Sequence, residues 1–320
     1  MKPRIFVTRK LPKTGLDLLN QYFTVTLNTE DRILTPEEIR EGIRDKEALL
    51  CLLTDNIDKS ILDAANTLKV ISNYAVGFNN IDIEEATRRQ IPVCITPGIL
   101  TDATADLTWS LILAVARRIV SADRYMREDQ FTGWDPTLFL GLDLRGKTLG
   151  IIGMGRIGQA VAARAQGFGM EVLYTSRTPK PIQSATQCSL EVLLRNADVI
   201  SLHTALTPET HHLIGREAFK QMKRTAILIN TARGPIIDET ALLEALQTQQ
   251  IFGAGLDVFE HEPRLTPGLN ECDNLVMLPH IGSATEATRT EMAKLAAENA
   301  IAILEGNQPH ALANPTINHY

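Results

Sequence analysis

The sequence predicts an α/β protein of parallel sheets with helices on both faces, divided over two domains. Three features lead there. Short β-branched and aliphatic runs alternate with helix-length amphipathic segments along the 320 residues, as in repeated βα units. The runs IIG, VISLH and ILIN are apolar without alternation, the pattern of strands buried on both sides. A chain of 320 residues also has room for two hydrophobic cores.

Taken in order, strands are expected at Arg4–Thr8, Ala48–Thr54, Lys69–Asn73 and Val93–Thr96, each an apolar run bounded by polar or turn residues. The TPG turn at 96–98 closes this series, and a long helical stretch follows from about Thr101 to Arg127. A loop rich in aromatic and turn residues, FTGWDPTLFLGLDLRGK, leads to a second series: Thr148–Ile152, Glu171–Tyr174, Val199–His203, Ala226–Asn230, Gly253–Asp257 and Leu275–Leu278. A last helix, roughly Glu286–Glu305, follows and is expected to run back to the first domain. That domain is then discontinuous, about residues 1–100 with 284–320, around a second domain over 101–283. Internal repeats and low-complexity tracts are absent from the sequence.

Composition narrows the function class. The net charge is −6, from 32 basic and 38 acidic side chains, which argues against nucleic acid or an anionic membrane as the main partner. Cys51, Cys94, Cys188 and Cys272 form no CxxC pair and read as small hydrophobes in a reducing compartment. The segment MKPRIFVTRK has no apolar signal core, and the most apolar stretch, Leu107–Ala116, is too short to span a bilayer. A cytoplasmic protein is expected. His211, His212, His261, His310 and His319 lack metal-ligand spacing against a cysteine or carboxylate pair, so no metal site is expected. The arginine pairs at 88–89 and 117–118 read as solvated helix faces.

The clearest motif is Gly153-Met-Gly155-Arg-Ile-Gly158, directly after the strand KTLGII and opening the helix RIGQAVAARAQGFG. The first glycine allows the strand-to-helix turn, the second lets a pyrophosphate approach the backbone, and the third lets helix pack on strand. The amides of Arg156 and Ile157 then face phosphate at the positive end of the helix dipole. This is the fingerprint of a dinucleotide-binding Rossmann unit. NAD-binding units place Asp or Glu about twenty residues further on, for the ribose 2′-hydroxyl. Here Ser176 stands at that place and Arg177 follows it. A hydroxyl beside a guanidinium suits a 2′-phosphate, so NADP(H) is the preferred cofactor, with NAD(H) possible. The alternative is that Arg177 is solvated or stacks on adenine in an NAD site.

Three polar residues follow strands of the second series: Arg233 in INTARGPIID, Glu262 in GLDVFEHEP and His280 in MLPHIGSAT. Reduction of a 2-keto acid needs a carboxylate anchor, a polarised carbonyl and a proton donor. Arg233 supplies the first two through its planar fork. His280 supplies the proton near neutral pH. Glu262 accepts from the other ring nitrogen and fixes the tautomer. Taken singly, each residue also has an ordinary explanation as a surface charge or a satisfied structural group.

The words NYAVGFNNID, TPGILTDATAD, LGIIGMGRIGQ, SLHTALTPETHHLI, ILINTARGPIIDE, GAGLDVFEHEP and LPHIGSAT resemble the D-isomer-specific 2-hydroxyacid dehydrogenases over about residues 70–290. Within that family the resemblance is closest to the glyoxylate/hydroxypyruvate reductases, which share NYAVG with the following NID segment, TDATAD after the PG turn, and an LYTSR-type second strand. The resemblance implies two Rossmann-like doubly wound domains, the first flavodoxin-like, with an interdomain cleft and a homodimer. It puts the family's Arg, Glu and His roles on Arg233, Glu262 and His280. It puts Asp257 near the nicotinamide end of the site, and cofactor contacts on Thr104, His203, Thr204, Thr231, Ala232 and Gly282. Val76, Gly77 and Ser283 become substrate contacts beside Arg233 and His280, although VGFNNID alone reads equally as an ordinary turn. The Trp134 loop resembles a segment crossing the dimer, and the apolar face of Leu107–Val120 agrees with that or with simple core packing. The implied reaction is reduction of glyoxylate or hydroxypyruvate by NAD(P)H. The alternatives are a D-lactate or D-phosphoglycerate type of dehydrogenase, or a non-catalytic dinucleotide-sensing module like the corepressors that share this fold. Against the phosphoglycerate type, the chain ends at Tyr320, soon after the return helix.

Overall fold

The computed structural model describes residues 1–317 except Pro181 and Gln183; His319 lies outside the described residues. The chain forms two compact units, one from Met1–Leu100 with the segment from Ala284 onward, the other from Thr101–Ser283. Among the described residues each unit contains one parallel sheet, of five strands in the first and seven in the second.

The first unit begins β1 (Arg4–Val7), α1 (Lys13–Tyr22), β2 (Thr24–Leu27), α2 (Pro36–Ile43), β3 (Ala48–Cys51), α3 (Lys59–Asp63), β4 (Val70–Asn73), α4 (Ile83–Arg88) and β5 (Val93–Cys94). The sheet order is β2-β1-β3-β4-β5, the flavodoxin-like doubly wound order. Strand β2, TVTL, was not among the expected strands. It is an edge strand with half-exposed and exposed positions alternating, paired among the described residues only to β1, from Arg4↔Thr24 to Val7↔Leu27, so no apolar run marks it. The arginine pair at 88–89 is not simply solvated: both guanidinium groups grip Glu85, and Arg89 also reaches Asp63.

The second unit runs α5 (Thr101–Ala116), α6 (Ile119–Arg127), β6 (Thr148–Ile152), α7 (Arg156–Ala165), β7 (Glu171–Thr175), β8 (Thr186–Gln187), α8 (Leu190–Asn196), β9 (Val199–Leu202), α9 (Arg216–Gln221), β10 (Ile227–Asn230), α10 (Glu239–Gln247), β11 (Gly253–Leu256) and β12 (Leu275–Met277). Its order is β12-β11-β10-β9-β6-β7-β8, the six-strand Rossmann order with one strand added at the β12 edge. Two-residue, exposed β8 escaped the sequence reading for the same reason as β2. The single helical stretch expected over 101–127 is two helices. The Leu142 amide takes the Ala116 carbonyl (2.8 Å), which a continuing helix would give to Val120, and Arg118 turns into the left-handed region (φ 53°). The arginine pair at 117–118 therefore marks a helix break.

Helix α11 (Glu286–Leu304) belongs to the first unit and is capped by Thr285, whose hydroxyl accepts from the Thr288 amide. It buries Ala293, Ala296, Ala297 and Ala300 against the five-stranded sheet and α1. Both sheets carry core on both faces. In β10, Ile227 and Ile229 enter one cluster and Leu228 the other; in β3, Leu49 and Cys51 face one cluster, Ala48 and Leu50 the other. This two-sided burial is why the strand runs do not alternate. No helix of the described residues is long and apolar enough to cross a membrane.

Candidate active site

Because every pairing in the seven-stranded sheet is parallel, all its strands exit at one edge, where ligand chemistry gathers in such sheets. The order reverses between β6 and β9. The loop after β6 is the glycine motif. Gly153 has φ +98°, and a Cβ there would meet the His203 carbonyl oxygen at 2.5 Å, so both conformation and space demand glycine. A Cβ on Gly158 would overlap the Gly153 carbonyl, which fixes the close helix–strand contact. Gly155 differs: nothing lies within 4 Å of a Cβ placed there. The fold does not require it to be small, so the open space is a cradle beside the amides of Arg156, Ile157 and Gly158 at the start of the ten-residue α7. A dinucleotide pyrophosphate fits that cradle by charge and shape.

At the end of β7 the Ser176 hydroxyl donates to the Thr178 carbonyl (2.7 Å), and Gln187 donates to the Ser176 carbonyl (3.3 Å). Arg177 is exposed. The Ser176 hydroxyl keeps its acceptor capacity while its proton tightens the turn. Past β9, His203 shares a hydrogen bond with Ser201 (Nε2 to Oγ, 2.8 Å), and burial pushes its imidazole down to about 3. It is neutral across the physiological range. Thr204 is half-buried beside Gly153, and the Thr231 hydroxyl meets Thr108 (2.9 Å).

Asp257, at the end of β11, is buried and braces the turn after His280. Its two oxygens accept from the amides of Ile281 (2.7 Å) and Gly282 (2.8 Å). Burial pushes its carboxyl above the ordinary range against the pull of those amides and of His280. Thr104 completes the turn by donating to the Gly282 carbonyl (3.2 Å); Ser283 is the last, half-buried residue of the unit.

His280 itself sits at φ +56°, a conformation histidine seldom adopts and one that persists where neighbours hold it. Its Nδ1 lies 2.9 Å from Glu262 Oε2, and Glu262 Oε1 accepts from the Phe259 amide (3.0 Å). Burial pushes the Glu262 carboxyl up, but the hydrogen bond and charge of His280, the Phe259 amide and Arg233 outweigh it and leave it below its usual range. The carboxylate is ionised at neutral pH and oriented. Arg233 is held at the exit of β10, where Nη1 donates to the Ala232 carbonyl (2.6 Å). Burial draws its guanidinium below the ordinary value while the Glu262 charge opposes the shift.

Two determinants of this geometry escaped the sequence reading. Asn230 clamps the turn that presents Arg233, donating to the Arg233 carbonyl (2.8 Å) and accepting from the Ala232 amide (3.0 Å). Gly234 lets the Arg233 loop touch the Glu262 loop, since a Cβ at 234 would overlap the backbone of Phe259. The readable signal is an Asn at a strand end followed two residues on by Ala-Arg-Gly-Pro.

In the first unit, Val76 and Gly77 follow β4 and are half-buried. Asn73 donates to the Gly77 carbonyl (2.9 Å). Asn80 donates to the carbonyls of Leu52 (3.0 Å) and Asp55 (3.1 Å). Asp55 accepts from the Thr8 hydroxyl (2.5 Å) and the Leu52 amide (2.7 Å). Burial pushes the Asp55 carboxyl up despite those donors.

The NAD-binding domain model of the D-isomer-specific 2-hydroxyacid dehydrogenases matches residues 109–282. A glyoxylate reductase of Thermococcus litoralis is 49% identical over 325 residues, covering 99% of this chain and 98% of that protein. Among solved structures, a protein from Thermus thermophilus superposes with a TM-score of 0.91 at 50% identity, over 97% of this chain and 99% of the other. The NADPH-dependent glyoxylate/hydroxypyruvate reductase of Sinorhizobium meliloti, in complex with NADP and malonate, superposes with a TM-score of 0.91 at 30% identity, over 100% and 99%.

Proposed function

Because this chain belongs to the D-isomer-specific 2-hydroxyacid dehydrogenase family, we propose that it reduces glyoxylate and hydroxypyruvate to glycolate and D-glycerate, with NADPH preferred over NADH. The observation that carries this reading is the 2.9 Å contact of His280 with an ionised Glu262, at the sheet edge that also bears the open glycine cradle.

Arg233 binds the substrate carboxylate with its fork and polarises the keto oxygen. His280 gives its proton to that oxygen as the carbonyl carbon is reduced, and Glu262 balances the imidazolium charge before transfer. A nicotinamide cofactor would supply the hydride when bound. Asp257 positions His280 by holding the next two amides. The amides of Val76 and Gly77 and the hydroxyl of Ser283 belong to the same proposal as substrate ligands. Thr104, His203, Thr204, Thr231, Ala232, Asp257 and Gly282 stand in it as cofactor contacts. The NADPH preference rests on Ser176 and Arg177, which stand where NAD-binding units carry Asp or Glu. A homodimer and a cytoplasmic location complete the reading. Trp134 and Leu140, 84% and 63% exposed, are apolar groups that an interface would cover.

The test is a panel of keto acids, glyoxylate, hydroxypyruvate, pyruvate and longer homologues, assayed with NADPH and NADH side by side. Highest kcat/KM for the two small acids with NADPH is the expected result. Tight NADPH binding without turnover on any acid would replace the enzyme with a dinucleotide-sensing module. Ser176→Asp is expected to shift preference toward NADH.

A further inference from the structure

His211 and His212 lie in the loop after β9, and Glu260 in the loop after β11. The fold brings one ligand atom of each within 4.8 Å of the others. Sequence spacing hid this group, because the carboxylate comes from a different loop.

We propose that His211, His212 and Glu260 form a binding site for a divalent transition-metal ion of the zinc class, built from residues other than Arg233, Glu262 and His280. Consecutive side chains normally diverge in helix or strand. Here His212 takes φ +52°, and the two imidazoles stand face to face, with centroids 4.0 Å apart and planes 27° apart. His212 Nε2 is 2.7 Å from Glu260 Oε1. The loop conformation is held from outside the cluster, the His212 amide donating to the Pro235 carbonyl (2.8 Å) and the His211 amide to the Thr207 carbonyl (2.9 Å).

Glu260 is held in direction by hydrogen bonds with Glu239. Its second oxygen accepts from the Glu239 amide (3.2 Å), and its own amide donates to Glu239 Oε1 (2.7 Å). Such outer contacts fix a ligand's direction and strengthen it. His261, with Nε2 4.0 Å from the same Glu260 oxygen, is in reach of a fourth position that water would otherwise fill.

Two imidazoles and a carboxylate without thiolate suit zinc, nickel, cobalt or copper(II) and disfavour magnesium and calcium. Metal–ligand distances near 2.0–2.1 Å put neighbouring tetrahedral ligands about 3.3 Å apart, which side-chain rotation supplies at exposed histidines. A bound ion would tie the β9–α9 loop to the segment carrying Glu262, two residues beyond Glu260. The proposal stands independently of the substrate and cofactor.

Chelator-stripped full-length protein is titrated with ZnCl2 by calorimetry and by competition with a chromophoric chelator. One Zn²⁺ per chain is expected. His211→Ala, and His212→Asn (Asn tolerates the left-handed backbone), should each weaken it at least about tenfold, the least that losing even an outer partner does. Co²⁺ should give the visible absorption of a tetrahedral site in the parent protein and lose it in His211→Ala. Keto-acid reduction should survive His211→Ala, since that side chain is outside the catalytic residues. The proposal is overturned if the parent protein takes up no stoichiometric Zn²⁺, or if a variant combining His211→Ala with His212→Asn binds it unchanged.

Discussion

The two sheets share a parallel, doubly wound topology but differ at the edge where their strands exit. In the first unit, the loops after β3 and β4 are knit by neutral donors and acceptors around Asn73, Asn80 and Thr8, with one buried carboxyl, Asp55, held toward its protonated form. In the second, the loops after β10, β11 and β12 present a guanidinium, two carboxylates and an imidazole. In the proposed function the first edge offers fixed backbone dipoles to orient the substrate. The second adds, in the same proposal, the proton of His280. Topology puts loops at an edge, and loop residues decide whether the edge binds or reacts.

The largest way to sharpen that contrast is His280→Ala. Turnover should fall on the order of 10²–10⁴-fold, while NADPH affinity, read by fluorescence titration, should stay within about threefold, because the proposal puts the phosphates at the glycine loop. Near-parental turnover would place the proton donor elsewhere and erase the difference between the edges.

Gly234→Ala tests whether the reactive edge depends on close backbone approach. The added Cβ overlaps Phe259, so the Arg233 and Glu262 loops must separate. A stability loss of roughly 2–3 kcal/mol in urea unfolding is expected, with a drop in kcat/KM larger than any change in NADPH binding. Unchanged stability would mean that the loops adapt freely.

The smallest effect is a difference in pH sign. Half-buried His203 has a lowered folded value, about 3, so the unfolded chain takes a proton first as pH falls through about 6.5; its stabilisation is present above that and lost on acidification. Asp55 has a raised folded value, so it keeps its proton in the native state where the unfolded chain has lost it; that stabilisation is present at low pH and lost as pH rises. His203→Gln should flatten the fall of Tm between about pH 6.5 and 5. Asp55→Asn should gain stability on the parent protein as pH rises above the ordinary carboxylate range, because the raised folded value of Asp55 is lost with the substitution. Parallel pH curves for both variants and the parent would refute the assignment.

Long, two-sided strands and the glycine loop were legible because their signals are local. IIG and ILIN follow from burial on both faces, and Gly153 from a turn that excludes a side chain. Strands β2 and β8 were not legible, since short exposed edge strands exist only by pairing to a neighbour. The break after Ala116 was equally hidden, for it depends on the amide of Leu142, far along the chain.

By itself the sequence determined the alternation of elements and the glycine loop, and it singled out the side chains that the proposal has anchor, polarise and protonate a keto acid. Tertiary structure alone decided that His280 meets Glu262 at 2.9 Å, that Asp257 is a brace, and that Gly234 must remain without a side chain. It also gathered His211, His212 and Glu260 into one group. The physical reason is range. Propensity, patterning and turn chemistry act over a few residues, whereas a hydrogen bond between loops depends on sheet order, which brings together strand ends far apart in the chain.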